Sequence, residues 1–272
     1  MKFTQFFFRL LLPMIVFAAN SFAWGPAGHE IVAEIASLHL TPRAQAGIAE
    51  LLGPNRHISD NGIANWPDFI RHDRPETGPW HFVDIPFAAT GYVPQRDCKD
   101  GQCVIDQVTH FASVLGDTNA TVVTRAEAIR FLIHFVADLH QPLHCAERNG
   151  DHGGNLRTMS DPHDRKPSNL HKIWDNELVH ECLGDQSIAA FARGLNARAT
   201  PAEQQEWVRG TVANWAWASH ELAVKHVYKD IPLDGPAVPL TAAYIAANRP
   251  IVELQLTKAG LRLAYLLNQA FR

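Results

Sequence analysis

The sequence predicts an all-α fold: one mainly helical domain with, at most, a small β-hairpin. Three observations carry this. Apolar residues recur at three- and four-residue spacing, as Ile129, Leu132, Ile133, Val136 and Leu139 do. Helix punctuation frames such stretches: Thr41-Pro42 opens one and Gly53 closes it. No repeat, low-complexity tract or linker divides the chain, so its helices are expected to share one core.

The first helix is expected over Pro26–Leu38, where Ile31, Ile35 and Leu38 share a face, and the second follows Thr41. A short helix covers Ile63 to His72, and Trp80–Ile85 reads as extended. Tyr92–Val104 reads as a loop or small hairpin turning at Lys99-Asp100-Gly101, with Cys98 and Cys103 on either side and placed to form a disulfide. Ile105–Leu115 is helical. The strongest helix is Thr124–His140, with Thr124 as cap and Glu127 completing a capping box, and Pro142 ends it. Ala146–Lys166 is polar and Gly-rich, hence loop. Helices follow over Asn169–Leu183, Ser187–Asn196 and Pro201–Tyr228, then a Pro/Gly-punctuated loop over Lys229–Pro239. Ile251–Phe271 closes the chain as an amphipathic helix.

Residues 1–23 do not read as part of the fold. Lys2 and Arg9 precede the apolar run Leu10–Ala18, and Ser21-Phe22-Ala23 offers small residues at a cleavage site, the pattern of a secretory signal peptide. That run is too short to span a bilayer, so a secreted or periplasmic monomer without a membrane anchor is expected, beginning at Trp24. Export permits disulfides. Cys98–Cys103 leaves Cys145 and Cys182 as a second pair, although Cys145 beside His144 also invites a metal reading. The net charge of −4 counts against a basic-groove nucleic-acid binder, but not against a protein whose positive charge comes from bound cations.

Chemistry gathers at Phe131–Asp175. There His134-x3-Asp138-x5-His144 is followed by His171-x3-Asp175. At i, i+4 on a helix each His–Asp pair leaves one face together. Imidazole nitrogen and carboxylate oxygen are zinc ligands. One such pair is common on surfaces; two pairs with His144 between them point to metal. Upstream, a chain starting at Trp24 would offer its α-amine and carbonyl as a chelate, with His29 close behind, although taken alone Trp24 reads as an incidental first residue. Asp68 in Trp66-Pro67-Asp68 and His81 in Trp80-His81-Phe82-Val83-Asp84 are further candidates. Singly, Asp68 reads as a helix-start charge, His81 as a core histidine, and Asp84 as a turn residue or a support to a ligand.

Together these residues resemble the secreted zinc-dependent single-strand nucleases and 3′-nucleotidases of the S-one/P-one nuclease type. The matching pieces are Trp24-Gly25 with His29, Trp66-Pro67-Asp68, His81 to Pro86, Phe131 to His144, Gly153-Gly154-Asn155, Asn169 to Asp175, and Ala259 to Ala264. The resemblance implies the fold shared by zinc phospholipases C and single-strand nucleases, and a cofactor of three Zn2+. Asp68, His81, His134 and Asp138 would hold one ion. Trp24 and His29 would hold a second, bridged by Asp138, and His144, His171 and Asp175 a third. His140 is in the motif but is not a ligand of that family. Arg71 would meet phosphate and Asp68 would orient the attacking water; Phe82 would stack on a base and Asn155 contact it. The blander alternatives are a solvated Arg, a core Phe and a turn Asn. The implied activity is zinc-assisted hydrolysis of single-stranded DNA and RNA to 5′-phosphate products, with 3′-nucleotidase action on nucleotides. A zinc-dependent phospholipase C on the same fold is the alternative. The five-residue step from Trp24 to His29, and Asp rather than Glu at 175, favour the nuclease; an exported zinc-binding module without turnover is a further rival. The Asn119-Ala120-Thr121 sequon carries little weight.

Overall fold

Hydroxyl caps set the starts of six helices. In the computed structural model, which describes residues 24–160 and 167–272, the side chains of Thr41, Thr121, Ser187, Thr200, Thr211 and Thr241 each accept the backbone N–H three residues on. The leader expected over residues 1–23 lies outside the described residues.

The helices run in the order α1 (Pro26–Ser37), α2 (Pro42–Leu52), α3 (Asn61–Ala64), α4 (Trp66–Ile70), α5 (Pro94–Asp97), α6 (Val104–Gly116) and α7 (Val122–Asp138). After these come α8 (Leu170–Lys172), α9 (Leu178–Leu183), α10 (Ile188–Arg198), α11 (Pro201–Trp207), α12 (Val212–Leu222) and α13 (Ala242–Ala270). The α7 helix is the centre of the core: from Phe131 to Asp138 every residue is buried, and α1, α2, α4, α6 and α13 all pack on it. A helix buried on every side is apolar all round; here the exceptions are His134 and Asp138. The α13 helix closes on α1 at Gly260, where a Cβ would stand 2.5 Å from Ile35 Cβ.

Among the described residues the β-structure is one three-stranded sheet and an isolated bridge, Pro86↔Glu147. Thr158–Ser160 (β1) pairs antiparallel with Ser168–Asn169 (β2), register Met159↔Ser168, and parallel with Val238–Pro239 (β3), register Met159↔Val238. It lies where the sequence suggested loops, not at Cys98–Cys103. Around that disulfide the chain forms α5 and a 3-10 turn, Lys99–Gly101, because the Asp97 carboxylate accepts the Val93 N–H at 2.8 Å and curls the segment.

Several boundaries move for identifiable reasons. The α7 cap is Thr121, one turn earlier than Thr124, and Glu127 is drawn off to Arg74 at 2.5 Å. The stretch expected to be extended begins as a 3-10 helix, Pro75–His81, and straightens only at Phe82. The helix expected from Ile63 to His72 breaks at Asn65, and the one expected over Pro201–Tyr228 breaks before Thr211, where Gly210 takes φ +88° and Thr211 caps anew. The last helix starts at Ala242 and runs through Pro250.

Candidate metal centre

Each chemical side chain is positioned by its local element. His134 and Asp138 lie one turn apart on α7, His29 on α1, Asp68 on α4, and His81 ends the 3-10 helix. His144 sits on a 3-10 turn, Pro142–Cys145, that Gln141 and Pro142 start as α7 stops. His171 is in α8 and Asp175 in the π-helical turn Ile173–Glu177, which carries α8 into α9.

The fold draws these residues into contact. Asp138 Oδ2 is 2.9 Å from His81 Nδ1 and 3.5 Å from His134 Nε2, while its Oδ1 is 3.4 Å from His29 Nε2. Asp68 Oδ2 is 3.7 Å from His134 Nε2, and the His29 and His134 rings stack at 3.8 Å. On the other side, His144 Nε2 and His171 Nε2 face each other at 2.9 Å, with Asp175 Oδ2 3.5 Å from the latter. Three groups have ligand atoms close enough to share an ion: His29–His134–Asp138, Asp68–His81–His134 and His144–His171–Asp175. A fourth grouping, Cys98–Cys103–Asp106, is the disulfide with a nearby acid; its sulfurs are spent on each other.

Backbone carbonyls fix how the rings point. His134 Nδ1 lies 2.8 Å from Ala64 O, His144 Nδ1 2.7 Å from His81 O, and His171 Nδ1 2.7 Å from Gly153 O. A carbonyl only accepts, so each Nδ1 carries the proton and each Nε2 presents a lone pair inward. His134 Nε2, His81 Nε2 and Asp138 Oδ1 are buried without a hydrogen-bond partner. Buried polar atoms left so are costly. A set of imidazole lone pairs and carboxylates with no other use fits a divalent cation of the zinc type. Electrostatics agree. Burial pushes His29, His81, His134 and His144 down, and His171 down to about 4, so all are neutral near pH 7. The same burial pushes Asp138 and Asp175 well up from the carboxylate range, a pressure that a bound cation reverses.

The remaining expected residues are placed as follows. Trp24 is fully buried just before α1, its backbone against His29, and the next N–H, that of Gly25, donates to Asp175 O at 2.7 Å. Arg71 Nη1 reaches Asp68 Oδ1 at 3.3 Å. Phe82 is half-buried between buried His81 and Val83; Asp84 is exposed. Asn155 donates Nδ2–H to His152 O at 2.8 Å and stays partly open. His140 is buried away from the cluster, its ring held between Val136 O and Arg262, each at 2.7 Å. Cys145 and Cys182 are not joined, contrary to expectation. Both thiols are free and buried, Cys145 directed at Leu139 O and Cys182 at Arg249 O. Burial raises both, Cys182 to about 12, so neither offers a thiolate.

One contributor escaped the sequence reading. Gln141 donates to Asp175 Oδ1 at 2.6 Å and accepts the Leu143 N–H at 2.6 Å, tying the His144 turn to the π-helical carboxylate. An amide between two expected ligands, in a turn that must be satisfied internally, was the available signal.

Comparison with known proteins matches this arrangement to a family. The S1/P1 Nuclease family model covers residues 24–272. Endonuclease 4 of Arabidopsis thaliana is 30% identical over 291 residues, covering 98% of this chain and 95% of that protein. Nuclease S1 of Aspergillus oryzae is 28% identical, covering 93% of this chain and 95% of that protein. Nuclease P1 of Penicillium citrinum is 26% identical, covering 90% and 97%. With the family match spanning every element that feeds the cluster, the chain belongs to the S1/P1 nuclease family and is a hydrolase of phosphodiester bonds.

Proposed function

We propose that the protein is an exported, zinc-dependent endonuclease that cuts single-stranded DNA and RNA to 5′-phosphate products and removes 3′-phosphates from nucleotides. The observation that carries this is the convergence of inward-facing Nε2 lone pairs and carboxylates in one buried space. Asp68, His81, His134 and Asp138 would hold one Zn2+; Trp24 and His29, with Asp138 as bridge, a second; His144, His171 and Asp175 a third. When bound, such ions supply Lewis-acid charge and make water nucleophilic near neutral pH.

The chain's own residues do the rest. Asp68, the least buried of the three carboxylates, orients the attacking water and takes its proton. Arg71, 3.3 Å from Asp68, donates to the phosphoryl oxygens as charge develops on them. Half-buried Phe82 gives a splayed base a surface to stack on, worth roughly 1–3 kcal/mol, and a duplex base cannot reach it without unpairing. Asn155 keeps its amide oxygen for the base, since Nδ2 is engaged by the loop. The leader would be removed after Ala23, leaving Trp24 first; intact mass of the secreted protein checks this.

In the test, His134→Ala and Asp138→Ala are made and bound zinc is counted. Each variant is expected to lose metal and to fall about 100-fold or more in turnover of single-stranded DNA. Chelation should abolish wild-type activity and zinc restore it. Wild-type turnover in either variant overturns the reading.

A further inference from the structure

The metal centre leaves one side of α4 unused. Asp68 and Arg71 leave that helix toward the cluster. Trp66 and Phe69, three residues apart, share another side. Phe69 is 55% exposed although it adjoins Asp68. A lone exposed ring means little; its neighbours give it meaning. Arg130, one turn before His134 on α7, lays its guanidinium over the Trp66 ring at 5.4 Å. Among the described residues it makes no ion pair or hydrogen bond, and its Nε is enclosed without an acceptor. Glu127, one turn earlier, is taken by Arg74. Arg56 is near enough for its charge, after burial itself, to press the Arg130 pKa down, and Arg56 has only a loose pair with Asp60 at 3.8 Å. Aromatic rings beside an arginine that has no ion pair suit a single strand: bases stack regardless of sequence, and a guanidinium fork meets phosphate.

We propose that this side of α4 is a track for the single strand beyond the scissile bond, with a base stacked on Phe69 and a phosphate held by Arg130 and Arg56. The inference rests on the nuclease reading, because only a polynucleotide has bases and phosphates beyond the bond being cut. It adds a length preference that the metal centre alone does not supply.

The holoenzyme and its Phe69→Ala, Arg130→Gln and Arg56→Gln variants are compared on a dinucleoside monophosphate and on a strand of about a dozen nucleotides. Phe69 and Arg56 are exposed, so those two variants keep the fold. For the long strand, F69A should lower kcat/KM by about 5- to 150-fold, the range of one base stack. R130Q should flatten the dependence of log KM on log salt by about 0.7 for each phosphate no longer neutralised. Dinucleotide turnover should stay within about twofold of wild type. Equal loss on both substrates, or no loss on either, overturns the track. A dye-labelled strand with phosphorodithioate linkages, which keep charge and resist hydrolysis, gives a second readout: F69A should weaken its binding to the holoenzyme, and unchanged anisotropy titrations overturn the proposal. A wild-type protein that cuts neither substrate defeats the nuclease reading instead, and the binding arm still decides whether the track exists.

Discussion

Of the five histidines that are ligand candidates, three are aimed less by type than by what holds the far side of the ring. Ala64 O, His81 O and Gly153 O fix the protons of His134, His144 and His171, and the opposite nitrogens then point together. His140, two residues after Asp138, is turned away by the same logic, because Arg262 donates to its Nε2. Gln141 acts at this scale too. Its amide orients Asp175, and residues that orient a ligand typically change metal affinity 10–100-fold when lost. Gln141→Ala is therefore expected to weaken zinc binding by about that factor, read by competition against a chelator of known affinity.

At the scale of elements, the ligand pairs are products of helix geometry. The i, i+4 step on α7 sets His134 Nε2 3.5 Å from Asp138 Oδ2, and the π-helical turn after α8 holds His171 and Asp175 at the same 3.5 Å. The loop before β1 supplies the third wall. Gly153 has φ +61°, and a Cβ there would stand 2.5 Å from Leu143 O, in the turn that carries His144. Only glycine enters that conformation freely. Gly153→Ala should cost roughly 1–3 kcal/mol of stability, measured by urea titration, and should also weaken zinc binding, since Gly153 O orients His171.

Across the whole molecule, the C-terminal helix secures the turn between α7 and His144 from behind. From α13, Gln255 donates to His140 O at 2.7 Å and Arg262 to His140 Nε2 and Trp207 O, each at 2.7 Å; from α12, Ser219 donates to Leu139 O at 2.7 Å. Arg262 has no carboxylate in this network, and burial pulls its pKa down to about 9. Arg262→Met removes a buried charge but strands two acceptors. Unsatisfied buried acceptors cost about 1–3 kcal/mol each, so lower stability is expected in urea titration; an unchanged midpoint would mean that the cost of burying the guanidinium offsets its bonds.

How much of this was legible follows from range. The helical class, the hydroxyl and Gly-Pro punctuation, the two His–Asp pairs and the Cys98–Cys103 bond are local facts, set by residues within a few positions of each other. The sheet joining β1 to β3, the separate fates of Cys145 and Cys182 and the pairing of Glu127 with Arg74 depend on groups far apart in the chain; the cap at Thr121 and the break at Gly210 are local signals that compete with neighbouring ones of the same kind. The sequence by itself determined which side chains could be ligands, because spacing on a helix fixes which face they share. Only the tertiary structure decided that α1, α4, α7 and α8 aim those side chains into one space, that carbonyls from three other segments choose the tautomers, and that Gln141 ties Asp175 to the turn that carries His144. Those outcomes require backbone and side chains far apart in the chain to be buried together, where an unpaired polar group is too costly to persist without a use.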